Sequence, residues 1–437
     1  MKITVGKESV VCRGPAMEET HWGIYQFPLL YRLRDGRLVA QVHVNYDMAT
    51  SYGLPKKYYV SEDGGRTWHD APDSVRDLCG TRLPSGDELF LDEEKALILK
   101  AEDVPREKIT VDTLPKDGIE YSVDGKIPRP VGGMFDIFGQ RHSLFLYDTL
   151  PAGICEKGFP VYRRKQGRGK PQRETAALDW PNFTVSGYRT LDGKSFVMTR
   201  PFCYGRIRIA PDDSVWLTHY SNYCAANPVN GAFIGHSIAI YLRSTDNAHT
   251  FRYMSHLEFV KNSDENPMAY LSGGFCEPDI AFQPDGSMIT LLRTTNVCDS
   301  GPEWNPSYFA RSEDGGRTWS RPVIFDSIGV LPKLVALRCG VTLAAYGRPG
   351  IYVRKSEDPA GIIWDDPIEV MPGSDRSGLS NHPPVRPNFH QYAGSCCNVD
   401  LIPLSDCEAL LAYSDFYYPD ETGFKRKTIL VRRITVS

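Results

Sequence analysis

No apolar run in this chain approaches the roughly 20 residues that a membrane helix requires, and the opening MKITVGKESVVCRG has no signal-peptide-like apolar core. Helical patterning of long 3.6-residue period is scarce. The 11 cysteines are odd in number and show no CxxC spacing, and Cys396 and Cys397 are adjacent. That pattern argues against a disulfide framework or a zinc site and for free thiols in a reducing compartment. A cytoplasmic location is therefore expected. A net charge of −4 supplies no field that would favour nucleic acid or an anionic membrane as partner. No set of His, Asp and Glu has convincing metal-ligand spacing, so neither a metal nor another cofactor is expected. The oligomeric state is not encoded legibly.

What the sequence has instead is 437 residues with 24% charged and 41% hydrophobic side chains, ordinary for a folded chain, and no linker that divides it. Tyr, Phe, Gly and Pro are plentiful, and short apolar runs end at turn residues, which reads as all-β. Internal repeats sharpen the reading. The stretch YVSEDGGRTWHD (59–70) returns almost unchanged as ARSEDGGRTWSR (310–321), with weaker copies at RSTDNAHTF (243–251) and KSEDPAGIIW (355–364). A second repeat is a strand, a tight turn at Asp-Gly or an equivalent, and another strand, at 25–46, 204–223, 276–296, 332–350 and 396–416. Asp-Gly between apolar runs is a strong hairpin signal because the turn needs positive φ. Hairpin, box, next hairpin is the rhythm of a propeller blade.

An acidic residue that recurs in several blades is no unique catalyst, so Ser61, Asp63, Trp68, Asp314 and Trp319 are read as structural. Strand polarity puts the boxes and the Asp-Gly turns on one face. The chemistry is then expected on the other, at the starts of first strands and the ends of second strands. Gln26, Arg206 and Glu277 stand at strand starts, and Tyr392 just before the last hairpin. His43, Tyr220, Arg293 and Arg348 follow their turns by seven or eight residues, as Ser414 and Asp415 do in the last repeat.

The box is similar to the Asp-box (BNR) repeat of the sialidase-like β-propellers, and the resemblance runs from Trp22 to the final TILVRRITV. It implies a six-bladed propeller occupying 1–437, with seven blades as the alternative and an enlarged second blade or insertion at about 100–199. CEPDIAFQPDGSMITLLR (276–293) resembles the sialidase segment whose Glu opens one strand and whose carboxylate-binding Arg ends the next, which implies those roles for Glu277 and Arg293. YGRPGIYVRKSED (346–358) is similar to the segment of the third Arg, giving Arg348, with Arg354 as the other option. HQYAGSCCNVDLIPLSD (390–406) resembles the nucleophile segment and offers Tyr392, two residues early. HVNYDMATSYG (43–53) offers Asp47 as acid/base, with His43 and Tyr46 beside it. The departure is YQFPLLYRL (25–33), where Gln26 stands at the family's first Arg. A neutral amide does not replace a bidentate guanidinium, so a remodelled pocket for a different sugar is expected.

The resemblance implies an exo-acting glycoside hydrolase that removes an acidic or modified terminal sugar. In that reading Asp47, Glu277 and Tyr392 carry the chemistry, and Gln26, His43, Tyr46, Arg206, Tyr220, Arg293 and Arg348 hold the substrate. Two alternatives stand beside it. One is a propeller polysaccharide lyase acting on uronates through His43, His219, Tyr220 and Arg293. The other is a non-catalytic carbohydrate-binding propeller with Trp22 and Tyr46 as stacking surfaces. An oligosaccharide or glycoconjugate is the implied partner in all three.

Overall fold

The computed structural model describes residues 1–16, 19–47, 51, 53–91, 158–180, 205–220, 236–262, 264–265, 269, 272–294, 306–373 and 394–437 with side chains. It gives strand backbone alone at 97–100, 134–135, 141–146, 184–189, 195–198 and 295–296. The fold is an all-β propeller. Sheet 1 runs Gln26–Arg32, Leu38–His43, Lys57–Ser61 and His69–Ala71. Sheet 2 takes Thr81–Arg82, Glu88–Phe90, Gly158–Arg164 and Gln172–Asp179. Sheet 3 takes Arg208–Ile209, Val215–Tyr220, Ala239–Ser244 and Thr250–Leu257, and its outer strand pairs in parallel with that of sheet 2. Sheet 4 spans Ser272–Asp326 and sheet 5 spans Val330–Met371, four strands each. Sheet 6 joins Asp400–Ser405, Glu408–Pro419 and Lys425–Val436 to the N-terminal strand Ile3–Arg13, which pairs antiparallel with Lys425–Val436.

Burial explains the ring. No single sheet hides both its faces, and each of the six apolar clusters is shared by consecutive sheets. Phe159 and Val161 of sheet 2 pack with Leu217 and Ile240 of sheet 3. Leu30 and Leu38 of sheet 1 pack with Leu410 and Ile429 of sheet 6, so the last interface closes on the first. A five-stranded sheet, Leu97–Lys100, Ser195–Met198, Thr184–Arg189, Arg141–Leu146 and Met134–Phe135 in spatial order, lies outside these six among the described residues. Its hairpin of Thr184–Arg189 with Ser195–Met198 belongs to that sheet and not to sheet 2.

The repeated turn is built as its composition requires. The Asp63 carboxylate accepts the N–H groups of Arg66 and Thr67 and the Thr67 hydroxyl, while Ser61 Oγ accepts Gly65 N–H. Asp314 and Ser312 repeat the same bonds, and Asp246 and Asp358 make shorter versions. These turns share a face with the Asp-Gly hairpins. A Cβ on Gly316 would lie 2.7 Å from Trp216, two residues beyond the Ser214 that ends the sheet 3 hairpin turn. The basic run RRKQGRGK (163–170), read from sequence as a solvated loop, is partly interior. Arg163 and Arg164 are buried and pair with Glu174 and Glu88.

Candidate active site

The inner strands of sheets 1, 4 and 5 begin with the same local device. Phe27, Glu277 and Leu331 each precede a proline and have φ of 52°, 48° and 42°. Directly after the residue before them, the ladder breaks register, at Gln26/Leu29, Cys276/Asp279 and Val330/Lys333. A bulge of this kind bends the strand and re-aims a side chain. Tyr25, Arg348 and Cys397 add φ of 53°, 74° and 55° at the same end of the ring. Non-glycine residues in the left-handed region cost on the order of 1–3 kcal/mol each and collect where the fold holds side chains for a purpose.

Four sheets bring their side chains together at this end. Glu277 is buried, and its two oxygens are both engaged. Arg293 Nη1 donates to Oε1 at 2.9 Å and the Leu331 N–H of sheet 5 donates to Oε2 at 2.9 Å. Arg348, also of sheet 5, is buried; its Nη2 donates to the Cys396 carbonyl of sheet 6 at 2.6 Å, and its guanidinium lies 5.9 Å from the centre of the Trp22 ring. Trp22 meets Phe416 of sheet 6 edge-on at 6.0 Å and Phe27 at 6.2 Å. Its indole N–H donates to Asp47 Oδ2 at 2.9 Å, holding that exposed carboxylate at the rim. Cys276 shows how tightly the charges are grouped. Burial pushes its thiol up, and Arg293 and Arg348 pull it back while Glu277 opposes them.

The expected residues divide. Arg348 and Asp47 meet the Trp22 ring, and Glu277 pairs with Arg293 and with the Leu331 N–H beside them. His43 closes the second strand of sheet 1 against Phe27 at 5.6 Å, with its Nδ1 2.9 Å from the Gly23 carbonyl. A carbonyl only accepts, so Nδ1 carries the proton and Nε2 is the basic nitrogen. Tyr46 is exposed beside His21, at 4.9 Å. Tyr220 ends its strand at the same end of sheet 3, half-buried. Tyr392 lies outside the described residues.

Three expectations are corrected by geometry. Gln26 is fully buried, and its side-chain oxygen accepts the Gly23 N–H at 2.5 Å, so it braces its own loop instead of facing a ligand. Arg206 donates Nε to Asp400 at 2.8 Å and Nη2 to the Leu30 carbonyl, which ties it to sheets 6 and 1 and not to the Glu277 group. Arg354 is held by the Asp365 and Phe325 carbonyls, which leaves Arg348 as the arginine of this segment at the site. Phe27 and Phe416 escaped the sequence reading. The signal for Phe27 was the shared x-Pro at strand starts in QFPLL, CEPDI and VLPKL; nothing local distinguished Phe416.

No protein-family model matches the chain, and no curated protein matches it. Among solved structures, a protein of unknown function from Dyadobacter fermentans shares the fold over 100% of this chain and 99% of its own, at 15% identity and a TM-score of 0.56. A mutant of the NanB sialidase from Streptococcus pneumoniae aligns with 98% of this chain and 70% of its own, at 12% identity and a TM-score of 0.46. An α-L-arabinofuranosidase from Fusarium graminearum, solved with arabinobiose, covers 98% and 97% at 12% identity and a TM-score of 0.45.

Proposed function

We propose that the chain is an exo-acting glycoside hydrolase that removes a terminal sugar carrying an acidic or otherwise modified group. The observation that carries this is the convergence of Glu277, Arg293 and Arg348 from two neighbouring sheets beside an aromatic wall of Trp22, Phe27 and Phe416. Two guanidinium groups supply charge-assisted donors for an anionic substituent. The aromatic faces supply a surface for the apolar side of a sugar ring. Asp47, exposed and held by the Trp22 indole, is the proton donor to the leaving oxygen, a role that requires hydrogen-bond reach to it. Glu277 is the base at the reacting centre, with Tyr392 the nucleophile it activates. Water deprotonated by Asp47 then cleaves the glycosyl–Tyr392 bond, returning the tyrosine and releasing the free sugar.

A panel of chromogenic glycosides tests this, with sialosides, uronides and neutral arabinosides side by side. Turnover of a glycoside with an acidic or modified glycone supports the reading; binding without turnover on every member would replace it with a lectin-like role. The tautomer of His43 gives the eliminating alternative a concrete base in Nε2. A uronide product that gains ultraviolet absorbance without uptake of water assigns the chain to that class instead.

A further inference from the structure

One layer below the mouth, charge is arranged in a way the glycosidase reading does not use. Lys333 stands two residues after Leu331 on the inner strand of sheet 5, and only 4% of it is exposed. The next residue, Leu334, binds Asp279 of sheet 4 through its N–H and Arg208 of sheet 3 through its carbonyl, and the charges of Asp279, Asp400, Arg206 and Arg208 all act on Lys333. Both carboxylates are already bonded at each oxygen, neither of them to Lys333. Asp400 takes the Arg206 fork and the Leu30 N–H at Oδ2. Asp279 takes Arg208 Nε at 3.1 Å and the Ile280 N–H at Oδ1, and Arg208 Nη2 and the Leu334 N–H at Oδ2. Among the described residues Lys333 Nζ has no hydrogen-bond partner.

The layer therefore holds three cations against two carboxylates, a surplus of one positive charge when Lys333 is protonated. Exposure is distributed with the same bias. The two Asp side chains are 0% and 1% exposed, whereas those of Arg206 and Arg208 keep 18% and 17%. The two arginines of the layer are therefore the more accessible groups and the acids the buried ones. Tyr31, beneath the Arg206 guanidinium at 5.7 Å, is the other titratable group in this layer, and burial keeps it neutral. An uncompensated buried ammonium is costly unless paired.

We propose that a compact inorganic anion binds in this layer against Lys333, Arg206 and Arg208. Such an ion supplies the missing acceptor for Nζ and brings the layer to electrical balance. Burial presses the Lys333 pKa down, with Asp279 and Asp400 opposing that only in part; an anion in contact favours the ammonium. The site ties sheet 3 to sheets 1, 4, 5 and 6, and it stands whether or not the mouth hydrolyses a glycoside.

Bromide is the probe for the position of the ion. Crystals of the full chain soaked in bromide and measured at the bromine edge are expected to show an anomalous peak in contact with Lys333 Nζ. In solution, replacing gluconate by chloride at constant ionic strength is expected to raise the melting midpoint by roughly 2–4 °C at saturating chloride. Lys333→Met removes that response, and Lys333→Arg, which keeps the charge, retains it. The absence of that peak in the native protein overturns the proposal. So does a chloride response that survives in Lys333→Met, since the ion would then sit elsewhere. A neutral Lys333 that needs no counter-ion predicts that pair of results.

Discussion

Arg348 is the side chain whose replacement separates charge from shape. Its guanidinium at once donates to the Cys396 carbonyl, lies over the Trp22 ring and acts, with Arg293, on the buried Cys276 thiol. Lysine keeps the charge but loses the planar fork and the stacking. Arg348→Lys is therefore expected to raise KM for an anionic glycoside about 10-fold or more and to change kcat less, read from initial rates over a substrate range. An unchanged KM would remove Arg348 from substrate binding. At this scale the sequence was informative about residue type and misleading about alignment. Gln26 reads as the counterpart of an arginine at a strand start. In the structure it pairs across the hairpin with His43, as Cys276 pairs with Arg293, so Phe27 and not Gln26 is the partner of Glu277. The bulge before each proline shifts the correspondence by one residue, and a bulge is a property of the ladder that no single strand displays. Arg206 failed for a different reason. Its carboxylate partner is 194 residues away, and nothing near either residue announces the pair.

The turns are the elements the sequence describes best, because their bonds are local. Burial works to raise the pKa of Asp246, and the Ser244 hydroxyl, the Thr250 N–H and hydroxyl and the His249 N–H outweigh it, lowering the value to about 2. A carboxylate held below its unfolded value of about 3.9 stabilises the fold above that value and loses the contribution as pH falls through the folded one. The stability difference between the native chain and Asp246→Asn is accordingly expected to be constant near neutrality and to shrink between about pH 4 and pH 2. Denaturant melts at stepped pH check this; a difference independent of pH would deny the carboxylate its role. Glycine in these turns gives a second contrast. Gly36 and Gly316 both have positive φ, at 91° and 79°, but a Cβ on Gly36 meets nothing within 4 Å while one on Gly316 meets Trp216 at 2.7 Å. Gly36→Ala is expected to cost about 1 kcal/mol from backbone strain alone, and Gly316→Ala roughly 2–4 kcal/mol because the indole must also move. Equal costs in urea unfolding would show that packing against Trp216 contributes nothing. The run at Arg163 and Arg164 shows where local reading ends. Five basic residues in eight look like a solvated loop until Glu88 and Glu174 arrive from other strands to bury and pair two of them.

At the scale of the whole molecule, the repeat of hairpin and box was enough to announce a propeller, since each unit needs neighbours on both sides to bury its apolar faces. The sheet that stands apart was not separable by that means. Its strands come from both sides of Gly158–Asp179, and periodicity identifies a strand without naming its partner. Closure of the ring makes its own prediction. Ile3–Arg13 covers the edge of Lys425–Val436, with backbone bonds between Lys2 and Ser437 at the end of the ladder. A chain lacking residues 1–13 is expected to melt lower and to associate with increasing concentration in light scattering, because an unpaired edge strand templates pairing with another chain. A monomeric truncation with native stability would contradict the closure. The proposed function rests on the far end of the same ring, and the most direct measurement there is single-turnover hydrolysis of the best glycoside by Glu277→Gln, with the melting midpoint followed in parallel. The account predicts a rate at least about 100-fold below the native chain at a temperature where the midpoint shows the variant still folded; a variant that turns over at the native rate would contradict it.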